Sequence, residues 1–244
     1  MDPNPEFKIG AIKAVDCARE GWELIKSDYW LLFAISLVGA LIAGVSFYVL
    51  IGPMVCGIFY CYLKQIDHQK VVFDDLWKGF GFFWPSLGVT IAIVVPMVGF
   101  MLLMFLTIYL PIITAAVMGN KADGGILLGT FAVGLVIDFV VAIIMMCIHS
   151  LLMFAFPLIV DRGLSSWDAM KLSARAVMKN LGGIAGLIFV NIGLVLVGEL
   201  ACGVGVYLVI PVITATNVVA YRKVFPSNTT YNFGPPPPNA YGGI

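Results

Sequence analysis

Four long stretches with almost no charge limit what this chain can fold into. They cover residues 30–63, 82–120, 124–160 and 181–221. An α-helix needs about 20 residues to cross a hydrocarbon core about 30 Å thick, so each stretch is long enough to cross a bilayer and too long for one simple crossing. With 61% hydrophobic and 11% charged residues, the chain could not cover a soluble fold with polar groups. We therefore predict an all-α, polytopic transmembrane helical bundle, whose outer surface lipid can cover.

Glycine and proline divide the apolar stretches, because both residues loosen or break a helix. The predicted breaks and kinks lie at Gly52, Pro53, Pro96, Pro111, Pro157 and Pro211. Each middle stretch is predicted as one long or kinked crossing, and the polar loop around Lys121 separates the two. Six crossings result, over residues 30–46, 48–65, 84–112, 126–158, 183–201 and 204–221. An eight-crossing alternative makes each middle stretch a tight hairpin.

Basic residues gather in four segments that flank these crossings. The segments are 8–26, 64–78, 162–179 and 222–223, and Lys121 alone lies outside them. Because cytoplasmic loops are rich in Lys and Arg, we expect a bacterial cytoplasmic (inner) membrane protein with both termini in the cytoplasm. The tryptophans flank the same segments, as expected of anchors at the headgroup level. They are Trp22, Trp30, Trp77, Trp84 and Trp167.

Three segments outside the crossings are predicted to be amphipathic helices in the membrane interface. They cover residues 1–29, 72–83 and 165–180. The N-terminal helix places Ile12, Val15, Trp22 and Ile25 on one face, and the third places its apolar stripe at Trp167, Met170, Ala174, Val177 and Leu181. Ser165, followed three residues later by Asp168, predicts the start of the third helix. Helices of this kind lie in the interface plane or pack on neighbouring crossings.

The first and last parts of the chain are predicted to be internal repeats. Each runs from an amphipathic helix through two crossings to a basic end. The spacing of Tyr48, Tyr62 and Lys64 is the spacing of Tyr207, Tyr221 and Lys223. The middle part starts with the helix at 72–83 and carries a longer excursion through the Lys121 loop.

Several strings of glycine, proline and aromatic residues resemble a bacterial integral membrane family. In the first half they are Ile51-Gly-Pro-Met-Val-Cys-Gly57, Leu63-Lys64 and Phe73-Asp-Asp-Leu-Trp-Lys-Gly-Phe80. In the second half they are Phe156-Pro-Leu-Ile-Val-Asp-Arg-Gly163, Trp167-x-Ala169 and Ser173. The family is related to the membrane domain of some glycerophosphodiester phosphodiesterases. The resemblance covers roughly residues 10–225 and implies six helical spans without implying an activity, since no phosphodiesterase domain is present.

Four polar residues inside the apolar stretches are candidate sites: Asp138, His149, Asn191 and Glu199. A carboxylate near mid-bilayer is costly, so Asp138 is either a proton or cation site or a hydrogen-bonded contact between helices. His149 could ligate haem or a chlorophyll-type pigment, or bond a neighbouring helix. Asn191 and Asn217 are candidate partners for an interhelical hydrogen bond. Glu199 is expected in the wet outer turn of the last hairpin.

No catalytic, nucleotide-binding or metal-binding motif occurs in the sequence. The five cysteines are scattered without a C-x-x-C pair, which favours reduced core residues over a metal site. We therefore predict no enzyme, no metal and no cofactor, and the balanced net charge gives no reason to expect nucleic acid as a partner. The tail at 226–244 contains four consecutive prolines, a composition suited to docking on a partner protein.

These observations give one leading hypothesis and two alternatives. The leading hypothesis is a non-enzymatic membrane subunit or scaffold. Its partners are the lipid bilayer and other membrane proteins, and the tail is the candidate docking segment. The first alternative is a transporter or lipid-handling protein, based on the repeats, the broken helices and Asp138. The second is an accessory subunit of a pigment- or haem-bearing bioenergetic complex, based on His149 alone.

Overall fold

The computed structural model describes residues 7–46, 49–119, 124–200 and 203–227. Tyr48, the Lys121 loop and the proline-rich part of the tail lie outside the described residues, and the predictions made for them stay predictions. Within the described ranges the fold is all α-helical, as predicted, and contains no strand.

The helices follow the predicted order along the described chain. They are α1 (Ala14–Ile25), α2 (Tyr29–Val45), α3 (Ile51–Ile66), a 3-10 helix (Phe73–Phe82), α4 (Phe83–Met118), α5 (Gly124–Leu151), α6 (Ala155–Arg162), α7 (Ser166–Lys179), α8 (Leu181–Glu199) and α9 (Val204–Val224). The predicted N-terminal helix is shorter than expected, because residues 7–13 are not helical. Gly10 has a φ of 69°, a left-handed conformation that interrupts a helix. The segment at 72–83 is helical but winds as a 3-10 helix.

Four helical stretches of the described chain are long and apolar enough to cross a membrane. They are Phe73–Val117, Leu127–Arg162, Leu181–Glu199 and Gly205–Val224, and α1 with α2 makes a fifth if the bent pair counts as one span. The helices α2 and α3 have 17 and 16 residues, fewer than the usual crossing, so six spans stay a prediction. The eight-span alternative is wrong, since α4 and α5 are each a single helix.

The predicted break at Pro211 is wrong, because α9 continues through it. The helix α4 continues through Pro96 and Pro111, which were predicted as kink points within one long crossing. The last hairpin instead turns at Gly203, whose φ of 76° suits glycine and few other residues. Pro53 and Pro157 are the third residues of α3 and α6, where a missing N–H leaves no hydrogen bond unmade. Gly52 likewise lies inside the first turn of α3, just after the break.

The chain divides into two compact units. The first consists of Met1–Thr90 and Leu151–Ile244, and the second of Ile91–Ser150. In the first unit, α1 and α2 meet at an angle of 104°. If the apolar α2 crosses the bilayer, the amphipathic α1 therefore lies along the membrane surface.

Small residues let the interfacial helices of the first unit approach the long helices closely. A Cβ atom on Gly21 of α1 would lie 2.8 Å from the backbone nitrogen of Thr216 in α9. Where α3 meets the 3-10 helix, a Cβ on Gly57 would collide with the carbonyl oxygen of Leu76. A Cβ on Gly79 would collide with the carbonyl oxygen of Pro53. Both amphipathic helices thus pack backbone against backbone on a long helix.

The packed faces of the interfacial helices differ from the predicted apolar stripes. In α1, Cys17, Gly21 and Ile25 are buried, whereas Val15 and Trp22 are exposed. In α7, the buried residues are Ala169, Leu172, Ser173, Ala176 and Val177. Small residues thus share these packed faces with Ile25, Leu172 and Val177. Val15 and Trp22 are left outside, where lipid solvates a large apolar side chain as well as protein does.

The second unit is a pair of long apolar helices formed by residues 91–118 of α4 and by α5. Most of its large hydrophobic side chains are exposed, including Met101, Leu102, Phe105, Val136 and Phe139. In the helical stretch Phe73–Val117, none of the 18 most apolar consecutive residues is buried. In Leu127–Arg162, 11% of the corresponding residues are buried. Little of the surface of this unit is therefore covered by its own two helices.

Candidate functional site

Residues from all four basic segments meet at one end of the first unit. The backbone N–H of Lys8 donates to the carbonyl of Val224 over 2.8 Å. The Asn180 side chain accepts from the N–H of Gly10 at 2.7 Å and donates to the carbonyl of Lys8 at 3.2 Å. These bonds connect the N-terminal segment to the ends of α7 and α9. The gathering of the basic segments at one end agrees with the charge pattern of the sequence.

A buried ion-pair network centres on Arg222 in the last turn of α9. Its guanidinium lies 2.6 Å from Asp67 Oδ2, just after α3, and 2.7 Å from Asp161 Oδ1 in α6. The Tyr221 hydroxyl donates to the other oxygen of Asp161 over 2.6 Å. The Arg222 side chain is 9% exposed and that of Asp161 is 5% exposed. One arginine therefore joins three helix ends in a site that little water reaches.

Aromatic rings surround this network on the side of α6. The ring of Tyr221 lies 5.2 Å from that of Phe225 and 6.0 Å from that of Phe154, measured between centroids. All three side chains are almost completely buried. The Arg162 guanidinium lies 5.0 Å above the Phe225 ring, a cation–π distance. The rings exclude water from the ion pairs, and this strengthens the attraction between the charges.

The two predicted repeat positions share a local arrangement. Tyr62 is buried and shares a hydrogen bond of 3.0 Å with Ser36, as Tyr221 is buried and bonded to Asp161. Lys64 donates to Asp75 of the 3-10 helix at 2.7 Å, and Lys223 donates to Glu20 of α1 at the same distance. At both positions a lysine near the C-terminal end of a helix thus pairs with an acid on an amphipathic helix.

A groove with a volume of about 500 Å³ opens beside this network, between α1 and the ends of α3 and α9. It is lined by Arg19, Glu20, Glu23, Leu24, Ile66, Val219, Arg222 and Lys223. Charged side chains and an apolar floor thus meet in one cleft, a combination typical of sites for amphiphilic molecules.

In the second unit, Asp138 forms a contact between the helices. The Thr107 hydroxyl donates to Asp138 Oδ2 over 2.6 Å, and Asp138 is 7% exposed. Gly134, one turn earlier, allows the approach, since a Cβ there would lie 3.1 Å from Thr107 Cβ. The hydrogen-bonded alternative for Asp138 thus matches the structure, and the bonded partner is a hydroxyl rather than a second acid.

The other polar candidates occupy separate places. His149 Nδ1 lies 2.8 Å from the carbonyl oxygen of Met145 in its own helix, and does not share a partner with Asp138. Asn191 Nδ2 donates to Asn217 Oδ1 over 3.0 Å, which is the expected bond between α8 and α9. Glu199 is exposed at the end of α8, beside the turn of the last hairpin.

The five predicted tryptophan anchors are all on the surface. Trp22, Trp30, Trp77, Trp84 and Trp167 are between 43% and 72% exposed. An exposed indole is free to occupy the headgroup region, where its ring is apolar and its N–H stays hydrated.

Sequence reasoning missed the acids that pair with Arg222, Lys64 and Lys223. They are Asp67, Asp161, Asp75 and Glu20. Two of them lie inside strings that carry the family resemblance, Asp75 in 73–80 and Asp161 in 156–163. The repeat of Tyr62-x-Lys64 and Tyr221-x-Lys223 was a usable signal, because buried cations need buried acids. Among the described residues, no group of three His, Cys, Asp or Glu side chains is placed to hold a metal ion.

Comparisons with known proteins give a partial likeness. The chain is 38% identical over 85 residues to an uncharacterised protein of Mycobacterium bovis and to uncharacterised proteins of two strains of Mycobacterium tuberculosis. The aligned stretch covers 35% of this chain and 26% of each relative. No family model matches the chain, and no solved structure matches it. The similarity connects the chain to bacterial proteins, and the family resemblance stays an expectation.

Proposed function

We propose that the protein is a non-enzymatic subunit or scaffold of a larger membrane assembly. The observation that carries this proposal is the second unit, whose two apolar helices leave most of their large side chains exposed. The proposal places the chain in a bacterial cytoplasmic membrane with its basic end on the cytoplasmic side. The meeting of all four basic segments at one end of the first unit supports that orientation.

The length of the second unit favours a protein partner over lipid alone. The helix α5 has 28 residues, which at 1.5 Å per residue is about 42 Å. A hydrocarbon core is about 30 Å thick, and excess apolar length must tilt, kink or be covered by a neighbour. Another membrane protein packed along these helices would cover that excess.

The polar groups of the first unit support a structural role for it. Arg222, Lys64 and Lys223 are each engaged with acids on other helices. Side chains held in this way stabilise contacts between helices and are not free to act as nucleophile or base.

Site-specific photo-crosslinking in native membranes tests the proposal. A photoreactive phenylalanine analogue replaces Phe139, which is 68% exposed in the second unit. The matched control is the same analogue at Phe189, which is 74% exposed on α8 of the first unit. We expect a protein adduct at position 139 and little or none at 189, detected as a band shift and identified by mass spectrometry.

Two outcomes decide between a scaffold and a protein that works alone. An adduct at position 139 with another membrane protein, or with a second copy of this chain, supports the scaffold. Lipid adducts alone at position 139, with the same pattern at 189, would overturn it.

A further inference from the structure

The groove beside the Arg222 network combines an apolar floor with a charged rim. Leu24, Ile66 and Val219 form the floor, and they come from α1, α3 and α9. An inorganic ion would leave this floor uncovered, whereas a molecule with a polar head and an apolar body would use both parts.

The rim carries positive charge that its own acids do not neutralise. Glu20 is paired with Lys223, and Glu23 is paired with Lys26, so both lining acids already have a cation. Arg19, also on the rim, forms no hydrogen bond or ion pair with any residue that the structure describes.

Arg222 lies at the inner wall of the groove, but two carboxylates already hold its guanidinium. Its side chain is only 9% exposed, and it lies 2.7 Å from Asp161 and 2.6 Å from Asp67. Arg19 is therefore the rim cation that is open to an anionic group of a ligand.

The groove lies at the level where lipid headgroups are expected. The helix α1 runs across α2, and the junction carries an aromatic cluster of Trp22, Tyr29 and Trp30, with ring centroids 5.9 Å and 5.3 Å apart. Aromatic residues of this kind favour the interface between lipid and water. A membrane phospholipid could therefore reach the groove without leaving its leaflet.

We propose that this groove binds a phospholipid, with Arg19 on the phosphate and the apolar floor against the glycerol and the first part of an acyl chain. Arginine is suited to this role, because its planar guanidinium can donate two hydrogen bonds to one phosphate. The site is separate from the exposed hairpin that supports the scaffold proposal, so the two can fail independently.

Native mass spectrometry of the purified full chain tests the proposal. The probes are phosphatidylglycerol, diacylglycerol with the same acyl chains, and inorganic phosphate. We expect one phosphatidylglycerol bound per chain and no comparable binding of the other two. Arg19→Gln is expected to weaken phosphatidylglycerol binding about tenfold, the size expected for one charge-assisted hydrogen bond.

Lys13→Gln is the matched control, since Lys13 is an exposed cation just before α1 and does not line the groove. It should leave the affinity unchanged. Binding of diacylglycerol equal to that of phosphatidylglycerol would overturn the role of the phosphate. Binding of inorganic phosphate as tight as that of phosphatidylglycerol would overturn the choice of a lipid. An equal loss in both variants, or none in Arg19→Gln, would overturn the assignment of Arg19.

Discussion

The two units of this protein are both built from apolar helices, but the contacts between their helices differ. In the first unit, glycines such as Gly21 and Gly57 bring helices into backbone contact, and Arg222 joins helix ends through buried ion pairs. In the second unit, a side-chain hydrogen bond between the helices joins Thr107 to Asp138, and most of the large apolar residues are exposed.

This difference shows where stability comes from in a membrane. Moving a leucine from lipid to protein gains little, because both surroundings are apolar. Close backbone approach and buried hydrogen bonds therefore hold helices together, and the first unit has many more of both. The second unit leaves its surface available to lipid or to another protein.

The largest effect is expected from Arg222→Leu in the first unit. The substitution leaves Asp161 and Asp67 without their shared cation in a site that excludes water. Breaking a buried pair in this way costs about 3–5 kcal/mol of the free energy of unfolding. Unfolding of the purified protein by SDS in mixed micelles would measure the loss.

The neighbouring residue provides the control for that experiment. Lys223 pairs with Glu20, but the two side chains are 27% and 53% exposed. Lys223→Leu should therefore cost about 0–1 kcal/mol, as for other exposed pairs. Equal losses for the two variants would show that the Arg222 network is no more important than a surface pair.

An intermediate effect is expected when the same substitution is made in each unit. Gly57→Ala puts a Cβ against the carbonyl oxygen of Leu76, a backbone atom that cannot move away alone. Overpacking of this kind costs about 1–3 kcal/mol. Gly99→Ala in the second unit meets no atom within 4 Å and should be neutral or slightly stabilising, since alanine favours helix. Thermal unfolding of both variants in detergent would compare them, and a larger loss for Gly99→Ala would reverse the comparison.

The smallest effect is expected for the polar contact of the second unit. A double-mutant cycle of Thr107→Val and Asp138→Leu should give a coupling energy of about 0.6 kcal/mol, the average for such bonds in membrane proteins. The same SDS titration measures it. A coupling well above 2 kcal/mol would mean that this hairpin is held together as firmly as the first unit.

The sequence predicted those features that follow from local patterns. The long apolar runs predicted the helices, the tryptophans are exposed as expected of anchors, and the Asn191–Asn217 bond is confirmed. The start of α7 is confirmed too, because Ser165 accepts a hydrogen bond from the N–H of Asp168. Each of these features follows from residues close together in sequence, or from a polar side chain placed in an apolar stretch.

Features that depend on distant parts of the chain could not be predicted in this way. Arg222 meets Asp67 and Asp161 from three helices that are far apart in sequence. The packed face of α1 was predicted only in part. Ile25 is buried as expected, but ranking residues by apolar size also selects Val15 and Trp22, which lipid can cover. In a membrane the small residues mark the packed face, and a hydrophobic pattern alone does not identify them.

The bond between Lys8 and Val224 has a practical consequence for topology mapping. It brings the two described ends of the chain to one point, since Lys8 follows the first residue described and Val224 lies three residues before the last. Halves of a split fluorescent protein fused just before residue 7 and just after residue 227 would therefore assemble on a single molecule. The fluorescence would then report the compartment that holds both ends in one measurement, in intact cells and without proteolysis.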